Sequence, residues 1–186
     1  IAALAFGTAS VPKVDKIFGP GNSYVDEAKR QVAQSGAAAI DMPAGPSEVL
    51  VIADAGADPA FVAADLLSQA EHGPDSPAVL VTTTQSLAEE VMDWIEKILP
   101  GMPTRDYAGP AWRDWGQVIV ADDLDEAYRI ADDFAFEHVQ IFTQNPREAL
   151  TKMHDYGALF LGENTCVSYG DKVIGTNHVL PTLGAA

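Results

Sequence analysis

A glutamine and a histidine three residues apart, Gln69 and His72, form the first pair in this sequence that could act together chemically. Positions three apart on a helix lie on one face, about one turn from each other, so both side chains can point at one ion. Imidazole is a common zinc ligand, an amide oxygen is a less common one, and a catalytic zinc keeps one coordination position open. The spacing indicates part of a metal site. A surface Gln and His at the frayed end of a helix would give the same pattern.

A second candidate is the adjacent acid and base Glu137 and His138, which directly precede a predicted strand, Val139–Phe142. Histidine changes protonation near neutral pH, and a carboxylate beside it can activate water or receive a proton. Adjacent residues on a strand face opposite ways, so the two work together only if the backbone is irregular there. The alternative is one buried and one exposed residue.

The segment from Tyr169 to Pro181 combines glycines with a density of polar groups that does not suit a core. Loops of this kind commonly carry binding residues. Asp171 offers a hard oxygen ligand and His178 a further imidazole. A plain surface loop is the alternative.

Two Gly/Pro turns, Gly19–Asn22 and Ala44–Glu48, could let a cofactor or substrate approach the backbone. Neither matches the G-x-G-x-x-G fingerprint of dinucleotide-binding domains. Cys166 has no base or cation among its sequence neighbours, which favours a packed or incidental thiol over a nucleophile.

The elements that must position these residues alternate between strand-like and helix-like stretches, as in an α/β fold with a parallel sheet flanked by helices. Predicted helices are Tyr24–Gln34, Pro59 to about His72 with Asp58 as N-cap, Ser86–Ile98, Leu124–Phe134, and one opened by Asn145 and Pro146. Predicted strands are Ala38–Asp41, Glu48–Ala53, Ala78–Thr82, Gln117–Ala121, Val139–Phe142 and Ala158–Leu161. The stretch Leu99–Trp115, rich in Gly, Pro and aromatics, predicts a long loop.

Composition argues against two classes of partner. A net charge of -16 opposes nucleic-acid binding, which needs clustered Lys and Arg. No apolar run approaches the about 20 residues that a membrane span requires.

The single cysteine, Cys166, excludes an internal disulfide and suits a reducing compartment, for which we expect the cytoplasm. Ile1 is expected to be a break inside a longer protein, because no signal-peptide pattern follows it.

Taken in order, five segments resemble the histidinol dehydrogenase family. They are Phe18–Asn22, Ile40–Glu48, Gln69–Ser76, Glu137–His138 and Gly175–Thr182. The resemblance runs over essentially the whole chain and implies Rossmann-like parallel sheets that are incomplete at both ends. Residues 1–48 would be the C-terminal part of an NAD-binding domain. Residues 49–186 would be the second half of a metal- and substrate-binding domain.

The resemblance implies a dehydrogenase that takes an alcohol through an aldehyde to a carboxylate with two NAD, as in the conversion of histidinol to histidine. Gln69, His72 and Asp171 match three ligands of one zinc per site, and the fourth, a histidine, would lie beyond this chain. His138 matches the general base that takes the alcohol proton, and Glu137 matches the residue that activates water.

Further positions match binding roles. Ser47 and His178 match substrate contacts, which in this family also include the three metal ligands and the general base, and Asn22 matches an NAD contact. A family member is expected to be a homodimer in which the C-terminal segment of one subunit completes the site of the other.

One departure concerns the substrate. Enzymes that make histidine commonly carry a tyrosine after the zinc aspartate, where this chain has Lys172. The surrounding residues, Tyr156–Glu163 and Tyr169–Lys172, are more similar to the sulfopropanediol dehydrogenase branch, which oxidises a small anionic diol. A cation near the metal would suit a sulfonate better than a cationic histidinol. Lys172 could equally be a surface residue, so both substrates stay open. From a different class, a non-catalytic fragment or binding module is the third hypothesis.

Overall fold

The structure is a computed structural model that describes residues 1–19, 23–41 and 47–170. The chain divides into two compact units, Ile1–Gly45 and Pro46–Ala186. This division places Ser47 and Glu48 in the second unit, whereas the predicted boundary followed Glu48. Among the described residues there is no helix with the length and apolar character that a bilayer crossing demands.

The first unit contains helices α1 (Ala2–Phe6) and α2 (Ser23–Ser35), with short strands β1 (Lys16–Ile17) and β2 (Ala39–Ile40) between and after them. The two strands pair in parallel. A small apolar core holds the unit together and consists of Ala5, Ile17, Val32 and Ala38.

The second unit is built on a parallel sheet. Its strands are β3 (Val49–Ala53), β4 (Ala78–Thr82), β5 (Gly116–Val120), β6 (His138–Phe142) and β7 (Ala158–Leu161). Their order across the described sheet is β5-β4-β3-β6-β7, with every pair parallel. The α/β fold with a parallel sheet is therefore confirmed.

Helices cover both faces of this sheet. They are α3 (Pro59–Ala70), α4 (Gln85–Ile98), α5 (Arg105–Trp115), α6 (Leu124–Phe134), α7 (Ala149–Lys152) and α8 (Val167–Tyr169). Alternate residues of β3 enter two different cores: Val49 and Val51 pack with α3 and α4, while Leu50 and Ile52 pack with α6. Every residue of β3 is buried as a result, which explains its unbroken apolar sequence.

Helix α3 places the predicted metal residues. The Asp58 side chain accepts a hydrogen bond from the Ala60 N–H (2.8 Å), and Pro59 occupies the first turn, as predicted. The helix ends at Ala70 rather than at His72. Gln69 therefore lies in the last turn of the helix, and His72 lies in the turn that follows.

The predicted loop over Leu99–Trp115 is wrong. A short 3-10 turn, Leu99–Gly101, leads into the helix α5, which contains Pro110 in its interior. Packing explains why the helix forms despite its proline: the small side chains of Ala108 and Ala111 are fully buried against Ala70 of α3.

Helix α5 passes into β5 without a connecting loop. A Cβ on Gly116, the first residue of β5, would lie 2.3 Å from the Trp112 carbonyl oxygen. Only glycine allows this close approach. Gly116 therefore makes a direct helix-to-strand transition possible.

Asp65 on α3 predicts a pH-dependent contribution to stability. Burial raises the pKa of this carboxyl to about 6 from 3.8. Between these two pKa values the folded protein holds a proton that the unfolded chain has already released. The contribution of Asp65 to the free energy of unfolding is therefore complete below about pH 4 and is lost as the pH rises through about 6. We expect Asp65→Asn to raise the free energy of unfolding at pH 7 by about 1 kcal/mol, with about 3 kcal/mol as an upper bound.

Denaturant unfolding of the wild type and Asp65→Asn at pH 4 and pH 7 measures this effect. The two proteins should differ at pH 7 and agree at pH 4. Asp93→Asn, at an exposed position of α4, is the matched control and should change neither value. An equal gain for Asp65→Asn at both pH values would show that burial of the charge is not the cause.

Candidate active site

The candidate site lies at the amino ends of the neighbouring strands β3 and β6. Ser47 and Glu48 directly precede β3, Glu137 directly precedes β6, and His138 is the first residue of β6. The sheet register pairs Val49 with His138. Two segments that are far apart in the sequence therefore meet at one edge of the sheet.

Glu137 and His138 form a buried pair. Their side chains are 0% and 2% exposed, and His138 Nε2 lies 3.0 Å from Glu137 Oε1. The alternative of one buried and one exposed residue is wrong. Glu137 lies outside the strand, which begins at His138, so strand alternation does not force the two side chains apart.

The second ring nitrogen of His138 fixes the tautomer. Nδ1 lies 3.1 Å from the backbone carbonyl oxygen of Glu48, and a carbonyl can only accept, so we place a hydrogen on Nδ1. The other ring nitrogen, Nε2, lies 3.0 Å from Glu137 Oε1, which is within reach of a proton transfer. Two groups that can accept protons therefore lie side by side.

Glu137 is held at three further points. Its backbone N–H donates to Glu48 Oε1 (3.1 Å), and its Oε2 accepts from the Ser47 hydroxyl (3.4 Å). Its backbone carbonyl accepts from the Ala158 N–H (2.7 Å). Ser47, a predicted substrate contact, therefore lies beside the candidate catalytic carboxylate.

Gly157 allows the strand β7 to approach Glu137. A Cβ at this position would lie 2.6 Å from the Glu137 carbonyl oxygen, so Gly157→Ala must displace the backbone of Glu137. Displacement of a reacting group by about 1 Å can cost about 10²-fold in rate. We therefore expect kcat/KM for the expected alcohol oxidation to fall by at least about 10-fold. Overpacking should also cost about 1–3 kcal/mol of stability.

Gly101→Ala is the matched control, because no atom lies within 4 Å of a Cβ built at Gly101. Steady-state kinetics and thermal unfolding of both variants make the comparison. Wild-type kinetics for Gly157→Ala would contradict the close approach.

Gln69 and His72 lie at the same sheet edge as the catalytic pair. The chain returns along α3 to enter β4 at Ala78, and this crossover brings the end of the helix to the amino ends of the strands. The His72 N–H donates to the Gln69 carbonyl (3.1 Å), so the two residues share one turn.

The two predicted ligands differ in burial. Gln69 is 2% exposed, and its amide Nε2 has no hydrogen-bond partner among the described residues. This contradicts the alternative of a surface glutamine, whereas His72 is exposed. The amide oxygen is the atom of Gln69 that could bind a metal, whereas the unpartnered nitrogen is a hydrogen-bond donor. No group of three His, Cys, Asp or Glu that could hold a metal occurs within residues 1–19, 23–41 and 47–170.

Four predicted site residues lie outside the described residues: Asn22, Asp171, Lys172 and His178. The described residues that precede two of them have clear contacts. The Gly19 N–H donates to Asp41 Oδ2 (2.8 Å), and Lys29 Nζ donates to the Gly19 carbonyl (2.9 Å). Lys29 also forms an ion pair with Asp41 and, with the Gly19 N–H, holds the pKa of that carboxyl below its usual value.

Gly170 lies against the ring of Phe160, since a Cβ on it would be 3.4 Å from that ring. The Phe160 ring centroid is 6.1 Å from that of His138. The described chain therefore ends close to His138.

Sequence reasoning missed two contributors, Glu48 and Gly157. Glu48 is the last residue of the segment Ile40–Glu48, which resembles the family, but no role was predicted for it. Its signal was a carboxylate at the start of an otherwise apolar strand, where a buried charge needs a structural purpose. Gly157 gave no signal, because its importance comes from the 2.6 Å approach of a distant backbone.

The chain is similar to known proteins over its whole length. The family model for histidinol dehydrogenase matches residues 1–186. The chain is 56% identical over 186 residues to the histidinol dehydrogenase of Xanthomonas euvesicatoria pv. vesicatoria. It is 55% identical over 186 residues to the histidinol dehydrogenase homolog of Shouchella clausii. All of this chain is aligned in each case, but it spans only 43% of the relative's length.

A crystal structure of histidinol dehydrogenase from Elizabethkingia anophelis matches the fold with a TM-score of 0.90 and 46% sequence identity. The match covers 98% of this chain and 42% of that one. The chain thus corresponds to less than half of each of these proteins.

Proposed function

Because the chain belongs to the histidinol dehydrogenase family, we propose that the protein containing it is an NAD-linked dehydrogenase that oxidises histidinol to histidine in histidine biosynthesis. The observation that carries this proposal is the buried pair of Glu137 and His138, with 3.0 Å between Oε1 and Nε2. Two successive oxidations need a group that accepts protons twice, and the pair supplies it.

In the first oxidation, a hydride leaves the alcohol carbon for the nicotinamide while the hydroxyl proton goes to a base. That proton passes to the lone pair of His138 Nε2, which lies 3.0 Å from Glu137 Oε1. His138 is the receiving base, because its Nδ1 is already protonated against the Glu48 carbonyl.

In the second oxidation, water adds to the aldehyde, and the hydrate loses a second hydride to become a carboxylate. Glu137 is placed to take the proton of the attacking water, since its Oε1 contacts the imidazole and its Oε2 contacts Ser47. The Ser47 hydroxyl orients this carboxylate and can also contact the substrate, as the family resemblance implies.

A zinc ion would be held by Gln69, His72 and Asp171, where it would supply a Lewis acid for a substrate oxygen. The burial of the Gln69 side chain, which is 2% exposed, supports this set, in which its amide oxygen would be the ligand atom. Asn22 would contact NAD, and His178 the substrate. A homodimer that completes each site with the partner's C-terminal segment is part of the same proposal.

A second candidate substrate is dihydroxypropanesulfonate, whose oxidation would give sulfolactate. Lys172, directly after Asp171, favours it, because an ammonium group near the site would attract a sulfonate and repel a cationic amino alcohol. The reaction class and the residues of the catalytic pair are the same for both substrates.

The deciding experiment measures NAD reduction by the full-length protein with histidinol and with dihydroxypropanesulfonate side by side. Two NADH formed per histidinol support the first proposal. Activity with the sulfonate alone transfers the function to the second substrate, and no reduction with either excludes both. Stoichiometric zinc binding with alcohol-dependent NAD reduction by these 186 residues alone would refute the non-catalytic alternative.

Glu137→Gln should separate the two oxidations. The amide keeps a donor for His138 Nε2 but cannot accept a proton from water. We expect oxidation of the aldehyde to slow by at least about 10²-fold, with less than about a 10-fold effect on the first oxidation of the alcohol. Single-turnover assays with the alcohol and with the aldehyde measure the two steps. Glu90→Gln, at an exposed position of α4, serves as the control, and equal slowing of both steps would remove the assigned role.

A further inference from the structure

Glu48 contacts both members of the catalytic pair through different atoms. Its backbone carbonyl faces His138 Nδ1 at 3.1 Å, and its side-chain Oε1 accepts the Glu137 N–H at 3.1 Å. The residue is 4% exposed. It is one of the buried polar residues at the amino end of β3, and it was not among the predicted site residues.

The side-chain contact continues the ladder between β3 and β6. Regular pairing starts where Val49 meets His138. The Glu137 N–H lies just before this point, and a side-chain carboxylate takes the place of a strand carbonyl as its acceptor. A buried N–H without an acceptor costs about 1–3 kcal/mol. The carboxylate therefore determines the orientation of the peptide that precedes the Glu137 side chain.

We propose that Glu48 is a positioning residue for the proposed dehydrogenase reaction. Its carbonyl holds His138 in the Nδ1-protonated tautomer, and its carboxylate holds the Glu137 backbone so that Oε1 faces Nε2. This inference rests on the proposed function. It adds a residue that touches neither hydride nor proton but sets the distance between the two groups that handle protons.

The two contacts of Glu48 respond differently to substitution. A side-chain change leaves the carbonyl in place, so the tautomer of His138 should persist in every variant. Glu48→Gln keeps an oxygen that can accept from the Glu137 N–H, whereas Glu48→Ala removes it. The pair of variants therefore isolates the side-chain contact from the loss of a charge.

The test uses the full-length protein. We expect Glu48→Ala to lower kcat about 10²-fold, with KM for the alcohol and NAD unchanged within about threefold. Glu48→Gln should keep kcat within about threefold of the wild type, because the hydrogen-bond acceptor remains. Equal kinetics of the two variants, or a loss that appears only in KM, would overturn the proposal.

Nitrogen-15 NMR of labelled histidine gives a readout that does not depend on turnover. We expect His138 Nδ1 to be protonated in the wild type and in both variants, and the Nε2 resonance to move in Glu48→Ala alone. An unprotonated Nδ1 in the wild type, or an unmoved Nε2 in Glu48→Ala, would contradict the assignment.

These results separate the two proposals. A wild-type protein that reduces NAD with neither alcohol removes the proposed function, while the NMR spectra still report the contacts of Glu48. If Glu48→Ala does not fold, Glu48→Asp takes its place, since it keeps the charge but withdraws the oxygen by one methylene. The same fall in kcat and the same Nε2 shift are then expected, and their absence overturns the positioning role.

Discussion

We expect His138→Asn to lower kcat for alcohol-dependent NAD reduction by about 10²- to 10⁴-fold and to leave KM within about threefold. Asparagine can still donate to the Glu48 carbonyl, as Nδ1 does at 3.1 Å. It has no atom that corresponds to Nε2, which lies 3.0 Å from Glu137 Oε1. The variant therefore keeps the anchor of the side chain and loses the base.

Full-length wild type and His138→Asn are compared by steady-state kinetics with saturating NAD. His154→Asn is the matched control, because His154 is exposed and donates only its backbone N–H to Asp132. Thermal unfolding tests whether the folded population is unchanged. A kcat within about tenfold of the wild type would exclude His138 as the main base.

The second large effect is expected for Gln69→Leu, which should lower zinc affinity by at least about 10²-fold and lower turnover in parallel. Leucine fills a similar volume without donors or acceptors. Because the buried Gln69 Nε2 has no described partner, an apolar replacement should relieve a cost of about 1–3 kcal/mol in the metal-free protein. We therefore expect metal-free Gln69→Leu to be at least as stable as metal-free wild type.

Metal content after purification, zinc titration and thermal unfolding with and without a chelator measure these effects together. Gln34→Ala, at an exposed position of α2, is the control and should retain zinc. Wild-type zinc affinity in Gln69→Leu would remove Gln69 from the ligand set. Lower stability of the metal-free variant would show that the amide has a structural partner.

Much of the fold could be predicted because a buried strand is a short run of apolar residues that can be recognised from the local sequence alone. The predicted strands Ala78–Thr82 and Ala158–Leu161 and the helix Leu124–Phe134 agree with the structure at both ends. The helix α5 could not be found in this way. Its stability comes from the contact of Ala108 and Ala111 with Ala70, which local sequence does not reveal.

The candidate site also contains residues that could be predicted from the sequence and residues that could not. Residue type and spacing singled out Glu137 and His138 as well as Gln69 and His72, and the family resemblance added Ser47. Residue types could not identify Glu48 or Gly157, because their roles depend on which strands are neighbours and on how closely two backbones approach. The register of β3 against β6 supplies this information for Glu48, and the close approach to the Glu137 backbone supplies it for Gly157.

The neighbouring positions of β3 and β6 have a consequence for biosynthesis. Glu48 and Glu137 are 89 positions apart, so a ribosome that adds about 5–20 residues per second completes β6 several seconds after β3. During this interval β4 can pair with one side of β3, but the other side keeps unpaired backbone groups along an entirely apolar strand. Such an edge is a template for aggregation. A nascent chain therefore needs protection, by a chaperone or by rapid folding of the intervening helices, until β6 has been synthesised. Pairing of β6 with β3 then covers this side of β3 and brings His138 to Glu48.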